Sequence, residues 1–413
     1  MLQYTTHTLP NGLQVLLHRD NSTPLVSLSL LYDVGARDED PNLTGMAHLL
    51  EHLMFSGTEA YPDYDREAVS MGGENNAFTN NDCTNYYITL PAEHLEHAVE
   101  VEADRMRNLS ISMHSLQTQQ QVVTEEYRQR YENQPYGDVW MLLRPLCYKV
   151  HPYRWCTIGA DINHIKQASR EDVRRFYDTY YHPSNAILAL AGNIDPEQAL
   201  GIVERHFGPM AAGCRPQRQL PVEGDFESRR ELEVVRDVPA NAIYVARLMC
   251  DRLGKDFHAY DMISDLLGNG KSARLYNNLV KRQGLFSEID ACVSGEADRG
   301  LFVVSGKLVD GVTFEQAEAA IDDELSLLAQ QKVDDNELEK VKNKYESTFV
   351  LSQYKAIDRA MALCAYADIG NAALVNDEPS LYRAVTADDV SRVARSLADS
   401  HPAVLRIKKS STH

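Results

Sequence analysis

Residues 25–55 read LVSLSLLYDVGARDEDPNLTGMAHLLEHLMF. Residues 25–34 alternate apolar and small side chains at the two-residue period of a strand. From Gly45 the apolar residues recur at helical spacing. The stretch is therefore a strand, a loop and a helix, preceded by a second strand pattern in LQVLLH at 13–18. The same order returns in the second half of the chain: ELEVV at 231–235, AIYVARLMC at 242–250, then a helical FHAYDMISDLLG at 257–268. Each half continues with further strands and amphipathic helices. YYITLP and EHLEHAVEVEADRMRNL follow in the first half, GLFVVSGKLV and FEQAEAAIDDELSLLAQQ in the second. The expectation is an α+β protein made of a duplicated unit, each copy a mostly antiparallel sheet flanked by helices, with the copies facing each other across a cleft. GCRPQRQLPVEG at 213–224 is rich in Pro and Gly and lacks apolar periodicity. It predicts an exposed linker between a domain at 1–212 and a homologous domain at 225–413.

The 413 residues carry 41 Lys and Arg against 60 Asp and Glu, a net charge of −19. That sign repels phosphate backbones and anionic lipid surfaces, so neither nucleic acid nor membrane is an expected partner. No apolar run approaches a membrane span, and MLQYTTHTLPNGLQV lacks the pattern of an export signal. Seven scattered cysteines, with no CxxC pair, point to free thiols in a reducing, cytoplasmic setting.

Chemistry concentrates in HLLEH, which places His48, Glu51 and His52 on one helix. Residues i and i+4 lie one turn apart, so the two imidazoles can converge on one ion. Neutral imidazoles suit zinc, and Glu51, about 60° from His48 around the helix, can reach a water at that ion without being a ligand. The helix is apolar on most other sides, where three uncompensated ionisable groups would be costly to bury. A catalytic zinc normally takes three protein ligands. In LQTQQQVVTEEYRQRYENQPYG, residues 116–137, Glu126 lies within about 10° of the apolar direction set by Val122 and Val123, and Glu125 about 110° from it. Glu126 is therefore the expected third ligand, with pairing to Arg105 or Arg128 as the alternative.

HLLEH, followed 74 positions after His52 by Glu126 of VVTEE, resembles the pitrilysin/insulinase family of zinc peptidases, particularly its short bacterial and mitochondrial-processing-peptidase-like branch. LPNGLQVLL, VGARDED, GMAHLLEHLMFSGT, GGENNAFTNNDCTNYY, YENQPYG and HPYRWCTIG extend the likeness over essentially the whole chain. The resemblance implies a metalloendopeptidase with one Zn²⁺ per chain on His48, His52 and Glu126, and Glu51 as the general base that activates water. It also implies that GGENNAFTNND holds an edge strand to which a peptide substrate adds, with Asn76, Ala77 and Phe78 as the binding residues. Family members often have a Glu seven residues before the ligand Glu; here the position is Gln119. Where members have LRxxxGLxY this chain has LVKRQGLFS at 279–287, with Val280 for the Arg and Ser287 for the Tyr. The expected remedy is a homodimer, or a heterodimer with a same-fold subunit that supplies Arg and Tyr. Two rivals stand beside this reading: a non-catalytic scaffold subunit of the same fold, and a protease dedicated to one precursor. His151, Tyr153 and Trp155 of HPYRW are expected to pack under the first domain.

Overall fold

The computed structural model describes residues 1–410. Its strands are Thr5–Thr8 (β1), Gln14–Arg19 (β2), Leu25–Tyr32 (β3), Glu74–Thr79 (β4), Thr84–Pro91 (β5), Ala186–Gly192 (β6), Arg230–Arg236 (β7), Ala242–Leu248 (β8), Phe286–Ser294 (β9), Leu301–Leu308 (β10) and Ala403–Lys409 (β11). Its helices are Met46–Met54 (α1), Tyr64–Ser70 (α2), Leu95–Asn108 (α3), Met113–Tyr127 (α4), Val139–Cys147 (α5), Ile162–Gln167 (α6), Arg170–Tyr180 (α7), Pro196–Phe207 (α8), Phe257–Leu267 (α9), Phe314–Gln330 (α10), Asp335–Ser352 (α11), Ala356–Asp368 (α12), Leu374–Ala384 (α13) and Ala387–Asp399 (α14). None of the described helices is long and apolar enough to cross a membrane.

The strands form two sheets, ordered β1-β2-β6-β3-β5-β4 and β7-β11-β8-β10-β9. Apart from β1 the two orders correspond strand for strand. β2 runs parallel to β6 as β7 runs parallel to β11, and the other neighbours pair antiparallel. The protein is α+β, and its two sheets repeat one topology.

The chain forms two compact units, and they cross the sequence halves. The first comprises Met1–Tyr127, Trp155–Leu220 and Val350–Asp377; the second comprises Arg128–Arg154, Pro221–Phe349 and Glu378–His413. Thus α12, from the second half of the sequence, completes the first unit: Ala360, Leu363 and Cys364 pack on Leu31, Ile187 and Ala189. Alternate residues of β6, Leu188 and Leu190, are equally buried on the opposite face. A sheet covered on both faces reads as a continuous apolar run, which is what AILALAG shows. In exchange α5, from the first half, packs Val139, Leu143 and Cys147 against Ala246 and Leu405 in the second unit.

HPYRW divides between the units. Trp155 is buried in the first, where its indole N–H donates to the Ala36 carbonyl at 2.9 Å. His151 and Tyr153 belong to the second, where both bond to Asp298. Residues 213–224 have no regular structure, as composition predicts, yet the segment is pinned rather than free. Arg218 bonds to Asp33 and Asp38 in the first unit, and buried Glu223 accepts main-chain N–H bonds from Lys149, Val150 and His151 in the second.

Candidate metal centre

The site lies within the first unit, where α1, α4 and β4 converge. Gly45 starts α1 at φ 88°, and a Cβ there would lie 2.6 Å from Ile165 Cδ1 and 2.8 Å from the Ile158 carbonyl, so only glycine fits. The apolar side chains of α1, including Leu49, Leu50 and Leu53, are fully buried. Their burial turns His48 and His52 to one side, with ring centroids 4.8 Å apart and ring planes at 88°. Glu126, in the last turn of α4, reaches both: its Oε1 is 3.7 Å from His48 Nε2 and its Oε2 3.3 Å from His52 Nε2.

Among the described residues this trio is the one group of three His, Cys, Asp or Glu side chains arranged to hold a metal ion, with ligand atoms within 4.8 Å of one another. Two imidazole nitrogens and a carboxylate oxygen form a donor set suited to zinc. A tetrahedral ion with bonds of about 2.0–2.1 Å separates its ligands by about 3.3–3.4 Å. The carboxylate–imidazole separations of 3.3 and 3.7 Å are close to that spacing, and all three ligand atoms lie within 4.8 Å of one another, so the donor set is one that suits the ion.

Glu51 projects from the same helix toward β4, where Thr79 Oγ1 donates to its Oε2 at 2.5 Å. β4 is an edge strand, bonded to β5 alone. Strand alternation places Ala77 on the Thr79 face, and Asn76 and Phe78 on the other. The Ala77 N–H is taken by Asn76 Oδ1 at 2.8 Å, so that main-chain group points away from β5, toward the open side of the sheet. Gln119 is half-buried on α4, seven residues before Glu126 and about 20° from it around the helix.

Sequence reasoning missed two supports of this site. Thr79 was legible in principle, because period-two alternation from Ala77 puts it on the same face. Glu39 carried no periodic signal, since it lies in the loop between β3 and α1. Its Oε2 accepts from the Gly45 N–H at 2.8 Å and its Oε1 from the Ala47 N–H at 2.9 Å. Burial pushes the Glu39 carboxyl up to about 8, against the pull of those two donors. At the other end of α1, Arg105 Nη1 donates to the Met54 carbonyl at 3.4 Å. Arg105 is 1% exposed, pairs with Glu102 at 2.6 Å, and lies over the Tyr64 ring at 3.8 Å.

The second half contains no counterpart of the missing Arg and Tyr at the aligned positions. Val280 packs against the core of the second unit, and Ser287 is exposed, donating to the Lys307 carbonyl at 3.3 Å. Nearby Lys281 lies 5.2 Å from the Tyr276 ring, so these two pair with each other.

Comparison with known proteins gives two family matches: "Insulinase (Peptidase family M16)" over residues 14–149 and "Peptidase M16 inactive domain" over residues 167–345. Zinc protease PqqE of Helicobacter pylori is 27% identical over 398 residues, covering 94% of this chain and 88% of its own length. A crystal structure of a protease from Helicobacter pylori matches with a TM-score of 0.92 and 26% identity, over 99% of this chain and 100% of that one. A peptidase M16 inactive domain from Pseudomonas fluorescens shares the fold, with a TM-score of 0.88 at 17% identity over 99% and 98% of the two chains.

Proposed function

Because the chain belongs to the pitrilysin/insulinase family, we propose that it is a zinc-dependent metalloendopeptidase that hydrolyses peptides laid along β4. The observation that carries this reading is the convergence of His48, His52 and Glu126, with Glu51 on the same helix and Thr79 bonded to it. His48, His52 and Glu126 would hold the ion. When bound, zinc supplies Lewis acidity that polarises a carbonyl and makes water acidic at neutral pH. Glu51 takes the proton of the attacking water and returns it to the leaving amine, while Thr79 keeps its carboxylate facing the reaction. The substrate backbone adds to β4, where the Ala77 N–H becomes available once Asn76 releases it. Main-chain pairing of this kind gives broad sequence tolerance. The −19 charge favours neutral or basic peptides.

The test is metal analysis together with cleavage of a quenched peptide library by wild type and Glu51→Gln. The expected result is one zinc per chain, cleavage lost on chelation and restored by zinc, and a Glu51→Gln protein that keeps its zinc but loses about 10²- to 10⁴-fold in rate. A zinc-free wild type, or a fully active Glu51→Gln, would overturn the reading. A scaffold role is disfavoured because a non-catalytic subunit has no need of this ligand set.

The Arg and Tyr absent at Val280 and Ser287 come, in the same proposal, from a second polypeptide of this fold: a like subunit or a distinct one. Full activity from a chain that is monomeric in solution would rule this out.

A further inference from the structure

We propose that Glu39 is a positioning residue for the metal helix, fixing the start of α1 so that His48 and His52 are held ready for the ion. The proposal rests on the zinc reading of His48, His52 and Glu126. A helix begins with four N–H groups that have no partner inside it. The common remedy is a Ser, Thr, Asp or Asn side chain at the position just before the first turn. This protein uses that remedy repeatedly, with Asp63 for α2, Asp161 for α6, Ser169 for α7, Asp195 for α8, Thr313 for α10 and Thr386 for α14. α1 cannot use it, because Gly45 occupies the capping position and no side chain fits there.

Glu39 takes over the task from the preceding loop. Its two oxygens hold the Gly45 and Ala47 N–H groups at 2.8 and 2.9 Å, and His48 is the next residue in the chain. Two bonds to two amides constrain both the position and the rotation of the first turn, where a single cap bond would leave the helix free to roll. The oxygens of either protonation state carry lone pairs that can accept from these N–H groups, so the contact does not depend on the charge of Glu39. The loop that carries Glu39 is itself held on three sides. Arg37 bonds to Asp33 and Asp82, Arg218 bonds to Asp38, and the Trp155 indole bonds to the Ala36 carbonyl. Glu39 is 5% exposed, so water does not readily replace its bonds. Groups that orient metal ligands without touching the metal commonly change metal affinity by about 10- to 100-fold when removed.

The test compares wild type, Glu39→Gln and Glu39→Ala as full-length chains. Zinc affinity is measured by competition with a chromogenic chelator, and amide hydrogen exchange is followed across α1, α7 and β6. The expected result for Glu39→Ala is zinc binding weakened about 10- to 100-fold, with faster exchange in the first turn of α1 and wild-type protection in α7 and β6. Glu39→Gln keeps one acceptor oxygen and should fall between wild type and Glu39→Ala. Should Glu39→Ala fail to fold, the volume-conserving Glu39→Gln carries the test. Zinc affinity within twofold of wild type in a folded variant overturns the proposal, as does faster exchange spread evenly over the whole first unit, which marks a general stability role. A wild type that binds no zinc overturns the functional reading instead, and local exchange in α1 then decides alone whether Glu39 sets the helix start.

Discussion

Thr79→Val separates the alignment of the base from the binding of the metal. Thr79 Oγ1 donates to Glu51 Oε2 at 2.5 Å and lies 3.4 Å from Thr84 Oγ1. Thr84 has its own acceptor in the Val34 carbonyl at 2.9 Å, so replacing Thr79 leaves no buried hydroxyl without a partner. Valine has the same shape and a high preference for strands, which keeps β4 intact. The variant therefore removes one hydrogen bond to an ionised carboxylate and little else. Such bonds contribute about 1.5–3 kcal/mol. At about 1.4 kcal/mol per factor of ten, the expected loss in kcat/KM is about 10- to 150-fold. Zinc affinity should stay at the wild-type value, because Thr79 touches no ligand of the trio. Thr79→Ser keeps the donor and should retain most activity. The assay is steady-state cleavage of a quenched peptide from pH 5 to 9, paired with a zinc titration. A Thr79→Val enzyme within twofold of wild type would refute the reasoning, and a parallel loss of zinc would show that Thr79 holds the site together instead of orienting the base.

Two further outcomes test the frame around the site. Arg105→Met leaves Glu102, 1% exposed, as a buried charge without its partner, and should destabilise the protein by about 3–5 kcal/mol in urea unfolding. Adding Glu102→Gln should recover most of that loss, and a double variant no better than the single would contradict the pairing. Asp368, at the end of α12, is pushed up to about 8 by burial and then by the charge of Asp33. Its folded value lies above its unfolded one, so the stability present below about pH 4 declines as the pH rises to about 8. Asp368→Asn should therefore match wild type in Tm near pH 4 and exceed it at pH 8; Tm differences that stay constant over this range would exclude Asp368 as the cause.

What the sequence made legible was local. HLLEH needs only the 3.6-residue period to bring two imidazoles together, and strand alternation is enough to identify β4. Glu126 emerges from a helical wheel centred on Val122 and Val123, but Val122 is 44% exposed. The buried positions of α4 are Leu116, Val123 and Thr124, and Glu126 lies on the flank of that face, where it meets α1. The wheel selected the carboxylate beside the imidazoles from an axis that packing does not follow. Long-range choices left no local trace. Nothing in the composition of 213–224 says that Arg218 will find Asp33 across 185 positions. Nor does any periodicity reveal that α5 and α12 join the units opposite to their sequence halves, because an amphipathic helix records that it has a buried face and not which sheet will cover it.

The repeat explains why α1 depends on side chains outside itself. α1 starts at Met46 and α9 at Phe257, each after the strand that is central to its sheet. Aligned from these first residues, His48, Glu51 and His52 correspond to Ala259, Met262 and Ile263. Those three are buried at 4%, 1% and 0% exposure, so α9 turns to its core the positions that α1 turns to the candidate metal site. Full burial of a Met or Ile side chain contributes about 1.5–3 kcal/mol, which α1 forgoes at two positions. In its place α1 has Glu39 on its first turn, Arg105 on its last carbonyl, that of Met54, and Thr79 on Glu51. A helix that gives one face to polar ligands loses part of the packing that would fix its direction, and polar contacts at both ends restore it. The same substitutions account for the absence of a His, Cys, Asp or Glu trio among the described residues of the second unit, whose aligned helix has no imidazole or carboxylate at these positions.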